Sequence, residues 1–184
     1  MPMLRSSVAA SCLLASACSS GNDRERSVEP IVAELDCFNG YSDVGVVPPA
    51  GRTVVLGAVA LPTERALSTV RSGDLAPAAR LWTKDALIVS TDSAVELRVA
   101  DEWRGKFAFE WGQRRDGPVE HLRVPACASS RGTGAWLGFT GGYYVADPAC
   151  VAMIVSVGGV GQRVEIGVGA PCAGQDPPSN LQGS

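Results

Sequence analysis

Lysine is almost missing from this chain of 184 residues: it stands only at Lys84 and Lys106, and arginine carries most of the positive charge. There is no basic run, and the formal charge is −3, so the phosphate-neutralising footprint of a nucleic-acid binder is absent and that class is set aside. Histidine occurs once, at His121, and no two cysteines have the Cys-x-x-Cys spacing of a zinc site, so no metal is expected. The Gly-x-Ser-x-Gly elbow of a serine hydrolase is also lacking. Apolar residues at helical spacing are scarce, which argues against an α-helical fold.

What is present begins at the N-terminus. Arg5 precedes a short apolar stretch that ends in small residues, and residues 1–17 have the pattern of a signal peptide. The stretch is too short and too broken by serine to persist as a membrane-spanning helix. Leu14-Ala15-Ser16-Ala17-Cys18 resembles a lipobox, with Ala15 standing where leucine is usual, and the resemblance implies a diacylated thiol at Cys18, while Ala15-Ser16-Ala17 would also serve as an ordinary signal-peptidase site for plain secretion. Cleavage before Cys18 removes Arg5 and Cys12, takes the charge to −4, and leaves Cys18, Cys37, Cys127, Cys150 and Cys172. In an oxidising compartment an odd set strands one thiol, whereas lipid on Cys18 leaves an even four. Residues 18–29 then read as a polar tether to a domain at 30–173, with 174–184 a mobile tail. The expected location is the outer face of the cytoplasmic membrane, and the first expected partner is that membrane, through the lipid.

Short β-branched runs separated by Gly, Pro, Asp and Ser recur along the domain, the pattern of an all-β fold. Candidate strands are 31–38, 53–61, 81–83, 87–91, 95–99, 106–111, 121–124, 135–139, 151–157 and 163–168. In 106–111, Phe107, Phe109 and Trp111 fall on one face and Ala108 and Glu110 on the other. Residues 63–79 read as a loop containing a turn of helix. The proline pairs Pro48-Pro49 and Pro177-Pro178 mark non-strand segments. The expected architecture is a single antiparallel β-sandwich, immunoglobulin-like in general arrangement, with a C-terminal β-hairpin.

That hairpin is formed by 151–157 and 163–168 around Gly158-Gly159-Val160-Gly161, glycines being able to take the positive φ of tight turns. The same glycines join strand to strand, so they are no dinucleotide fingerprint. Cys150 and Cys172 flank the hairpin, and its base would bring them together. Cys37 with Cys127 follows by elimination, from three possible pairings.

The stretch from Gly134 to Val151, together with Val164-Glu-Ile-Gly-Val-Gly-Ala-Pro-Cys172 and Val54-Val-Leu-Gly-Ala-Val-Ala-Leu-Pro62, resembles a family of exported actinobacterial proteins with no assigned activity. The resemblance implies an envelope location and a cysteine framework, and it transfers no catalytic residue.

Residues with chemistry to offer are few. Alternation turns His121 and Arg123 to solvent beside inward Leu122 and Val124, and His121 has no sequence partners for a catalytic triad. Glu96, Glu110, Glu120 and Glu165 fall on or beside strands at alternation points, as on a solvated sheet face. Asp36, Asn39 and Asp43 offer oxygens but not the spacing of a calcium loop. Trp136 is assigned to the core. Tyr143 and Tyr144 are neighbours, so one ring should face outward beside Gly141-Gly142, and this pair is the candidate binding surface. The expected role is a non-enzymatic binding or structural module of the envelope, without cofactor, facing a protein or glycan partner. Its rivals are a small hydrolase using paired carboxylates and an extracytoplasmic subunit of a membrane complex.

Overall fold

The β-branched and aromatic runs form strands throughout the computed structural model, which describes residues 32–38, 41–71, 81–112 and 117–179. The expected signal peptide, Cys18, the whole of the expected tether, Asn39 and residues 180–184 lie outside the described residues. The strands are β1 (Ala33–Glu34), β2 (Tyr41–Gly45), β3 (Thr53–Val55), β4 (Val59–Leu61), β5 (Val70–Arg71), β6 (Leu81–Ser90), β7 (Val95–Val99), β8 (Phe107–Trp111), β9 (His121–Val124), β10 (Trp136–Val145), β11 (Ala149–Val157) and β12 (Val160–Val168). A 3-10 turn spans Asp101–Trp103. No helix among the described residues is long and apolar enough to cross a membrane.

Two sheets pack face to face, as an all-β sandwich requires when each sheet has one apolar face to bury. The first has the order β1-β9-β7-β11-β12 and the second β2-β10-β6-β4-β3, with β8 also beside β10 and β5 also beside β6. Pairing between strands is antiparallel except for β1 with β9, which run parallel. Inward positions alternate as the side-chain period of two demands: Leu87 and Val89 from β6, Leu97 from β7, Met153 and Val155 from β11 are all fully buried. Phe107, Phe109 and Trp111 of β8 project inward with Tyr143. Their rings lie 5.0–6.2 Å apart in stacked and edge-on pairs, each pair adding about 0.5–1.5 kcal/mol beyond its buried area.

The C-terminal hairpin forms with Val157 opposite Val160 and a two-residue turn at Gly158 and Gly159, both at positive φ. Both cysteine pairings follow: Cys150 is bonded to Cys172 and Cys37 to Cys127, with Cα–Cα separations of 4.8 and 5.4 Å. Two such bridges belong to an oxidising, extracytoplasmic environment.

Other expectations are revised. The candidate strands 81–83 and 87–91 are one continuous strand, β6, because Lys84-Asp85-Ala86 keeps its place in the ladder with β10. Candidate 53–61 is two strands, reversed at Leu56 and Gly57, both at positive φ. The segment expected to be a loop with a helical turn forms no helix over 63–71 and supplies the two-residue strand β5. The C-terminal segment is docked rather than loose through Ser179. Asp176 N–H donates to Glu64 O (3.0 Å), Ala66 N–H to Asp176 O (2.9 Å) and the Gln175 amide to Thr63 O (2.8 Å).

Candidate functional site

Alternation places Tyr143 and Tyr144 on opposite faces of β10, but neither ring is exposed. Tyr143 points between the sheets and is 0% accessible, and Tyr144 points away from the core yet is only 5% accessible. The expected exposed ring is therefore corrected, and the glycines explain why. A side chain at Gly142 would put its Cβ 2.8 Å from the Trp82 indole nitrogen, because that indole lies over the glycine backbone next to Tyr144. Tyr144 is further held by its hydroxyl, which donates to Glu110 Oε2 at 2.8 Å. Burial, with that carboxylate, pushes the Tyr144 phenol up to about 12. The platform that glycine and aromatic residues suggested is thus filled by the chain's own tryptophan. Trp136 is buried, as expected, but against Ala60 and Ile88 on the outer face of the second sheet rather than between the sheets.

His121 was expected at the surface and is instead buried. Its Nε2 meets Glu96 Oε1, and its Nδ1 is buried with no hydrogen-bond partner. The other glutamates are each engaged locally. Glu110 holds Tyr144, Glu120 accepts from Gly105 N–H at 2.6 Å, and Glu165 lies 3.9 Å from the Cys150 sulfur. Cys150, Cys172 and Glu165 cluster within 4.8 Å, but the two sulfurs are bonded to each other and offer no thiolate. Asp43 is bound by Ser129 (2.8 Å) and Arg131 (2.9 Å), contacts that hold its carboxyl below the ordinary range, the serine most of all.

The arrangement with most chemistry lies where sequence reasoning did not look. Along the edge of β6 away from β10, β4 pairs only with Ile88 and Val89 and β5 only with Leu81 and Trp82. Between these two short partners the chain swings out to the other sheet, where Leu67 bridges to Val168 of β12. The gap exposes the flank of β6 at Asp85. Asp85 shares its parity with Thr83, Leu87 and Val89, so its carboxylate starts from the core side.

Arg52 fills part of that gap. Its Nη2 bonds Asp85 Oδ1, and its Nη1 donates to Ala60 O (3.1 Å) and to Asp85 Oδ2 (3.4 Å). Only 13% and 8% of the two side chains is accessible. Burial raises the Asp85 pKa above the carboxylate's usual value, against the opposing pull of Arg52 and of the Ala86 N–H. Behind them the Tyr143 hydroxyl is buried without a partner, and burial, then the Asp85 charge, drives its pKa well upward.

In front of the pair lies a cleft of about 320 Å³, lined by Gly51, Arg52, Pro62, Leu67, Ser68 and Asp85 and closed on one side by Ser179. The docked C-terminal segment shapes it. Arg65 holds Asp176 (2.9 Å) and Pro177 O (3.1 Å), and the Ser68 hydroxyl donates to Ser179 O (2.7 Å). The cleft combines an apolar wall, a few hydroxyl and carbonyl groups and a buried ion pair, a composition suited to holding a small polar group in a fixed orientation. The signal for it was present in the sequence: an aspartate at a core parity position demands a buried cation nearby.

No family model matches this chain, and neither a curated protein nor a solved structure does.

Proposed function

We propose that the chain is a lipoprotein of the cell envelope, anchored by a lipid on Cys18 to the outer face of the cytoplasmic membrane, whose β-sandwich is a non-enzymatic binding or structural module. The observation that carries the anchor is the use of cysteine. The two bridges consume Cys37, Cys127, Cys150 and Cys172, so once cleavage has removed Cys12 the remaining thiol is Cys18, at the end of the lipobox-like run. Growth with a labelled fatty acid tests it: label should enter the parent and be lost in Cys18→Ala, along with retention by the membrane. Undiminished label in the variant overturns the anchor.

Action by contact is supported by where the carboxylates sit. A paired-carboxylate hydrolase needs two of them facing one sugar, whereas each glutamate here is engaged with its own local partner: Glu96 with His121, Glu120 with the Gly105 N–H, Glu165 beside Arg163 and Glu110, on the other sheet, with Tyr144. The Arg52–Asp85 cleft takes over from Tyr143 and Tyr144 as the contact site, for a protein or glycan partner in the envelope. Hydrolysis of envelope glycans by the purified domain, abolished in Glu110→Gln, would replace this reading with an enzyme.

A further inference from the structure

β12 ends the first sheet, and its one contact beyond β11 reveals which of its backbone groups face outward. Leu67 N–H donates to Gly167 O and Gly169 N–H to Leu67 O, both at 2.8 Å. Odd-numbered residues of β12 therefore aim their N–H and C=O groups away from β11, and Gly161, Arg163 and Glu165 continue that row. Among the described residues no strand pairs with it. An open row of this kind is a template for another strand. The half-exposed side chains of Arg163 and Glu165 stand on the outer face, one on each side of Val164, and Arg163 is already oriented there by Glu102 at 2.6 Å.

We propose that β12 pairs antiparallel with β12 of a second copy of this chain, about a two-fold axis at Val164. In this register Arg163 of each copy lies opposite Glu165 of the other, giving two ion pairs, and the same residues exchange four backbone hydrogen bonds. The neighbouring registers are disfavoured. Centring the axis at Arg163 sets arginine against arginine, and centring it at Glu165 sets glutamate against glutamate, in both cases with like charges directly opposed. A slip that changes the parity turns every side chain to the wrong face. Leu67 occupies the edge at Gly167, so pairing is confined to residues 162–166. The contact is consequently short, and the dimer is expected to be concentration-dependent. The proposal does not depend on lipid at Cys18 or on the Arg52–Asp85 cleft.

Sedimentation of the full chain in detergent solution tests it, with Arg163→Glu, Glu165→Arg and the double reversal compared at equal concentration after circular dichroism has confirmed folding. The parent should show a monomer–dimer equilibrium. Each single reversal opposes like charges at both symmetry-related positions and should weaken dimerisation about tenfold. The double reversal recreates both ion pairs and should recover affinity to within about threefold of the parent. A parent that stays monomeric up to several hundred micromolar overturns the proposal. So do dimers indifferent to the single reversals, and so does a double reversal no tighter than the singles.

Discussion

Outward-facing positions of the first sheet carry Glu96, Arg98, Arg123, Arg163 and Glu165, whereas those of the second carry Val44, Ala60, Ala86, Ile88 and Trp136 in one patch and Trp82, Ala108 and Tyr144 in another. Both sheets obey the same side-chain period. The difference lies in what the outer residues meet. On the first sheet these charged side chains meet water and one another, although His121 and Ala152 of the same face are buried among them. On the second, small residues on β10 let large neighbours fold down onto the backbone: a Cβ at Gly138 would lie 3.1 Å from both Ile88 and Val44, and one at Gly142 would strike Trp82. Alternation thus tells which face a residue occupies, while the space left by its neighbours decides whether that face is wet.

The largest expected effect comes from filling that space. Alanine at Gly142 would set its Cβ 1.9 Å from Thr83 O, and at Gly141, on the core-facing side of the same strand, 1.8 Å from Glu110 O, so backbone on β6 or β8 would have to move. Either substitution should cost at least about 3 kcal/mol in denaturant unfolding. Gly161→Ala on the first sheet is the control, since its Cβ would be 3.5 Å from Ile154 and Ser156, and it should stay within about 0.5 kcal/mol of the parent. Equal costs on the two sheets would erase the contrast between them.

The second sheet is also where a charge is turned inward. Removing Arg52 leaves the Asp85 carboxylate buried without its cation, at a cost of about 3 kcal/mol near neutral pH. The pH dependence has a definite sign. Because burial raises the Asp85 pKa, the folded chain holds that proton more firmly than the unfolded one, so stability is fully present below the ordinary carboxylate value and is lost as pH rises through the raised one. Arg52→Ala should widen this window toward neutrality, and its penalty should shrink as the carboxyl becomes protonated. Asp85→Asn should abolish this contribution to the pH dependence. Unfolding curves from about pH 4 to 8 decide the matter, and a penalty for Arg52→Ala that is constant across that range would show that the Asp85 charge is not its source.

Much of the scaffold was legible because it depends on local patterns. Phe107, Phe109 and Trp111 show their inward face by alternation alone, and the glycine turn at 158–159 sets the hairpin whose flanks carry Cys150 and Cys172. What escaped depends on contacts distant in sequence. β6 reads as two fragments because Lys84-Asp85 breaks its apolar run, and only Arg52, 33 residues earlier, makes the aspartate tolerable there. The candidate site was misplaced for the same reason: Tyr144 faces outward as alternation says, but Trp82 from β6 covers it, a contact that no local spacing encodes.

The smallest expected effect concerns the two tyrosine hydroxyls, which the two faces of β10 place in unlike surroundings. The Tyr144 hydroxyl donates to Glu110 at the covered outer face, and Tyr144→Phe removes a hydrogen bond to a charged acceptor that water can still partly reach, so the loss should be about 1 kcal/mol. The Tyr143 hydroxyl is buried in the aromatic core with no partner, near the Asp85 charge. Folding strips that hydroxyl of water and gives nothing back, so Tyr143→Phe should leave stability unchanged or raise it by up to about 1 kcal/mol. Chemical denaturation of the two variants beside the parent reads both signs. If Tyr143→Phe proves as costly as Tyr144→Phe, the hydroxyl has a partner in solution, and the ordering of the Arg52–Asp85 cleft extends one residue deeper into the core.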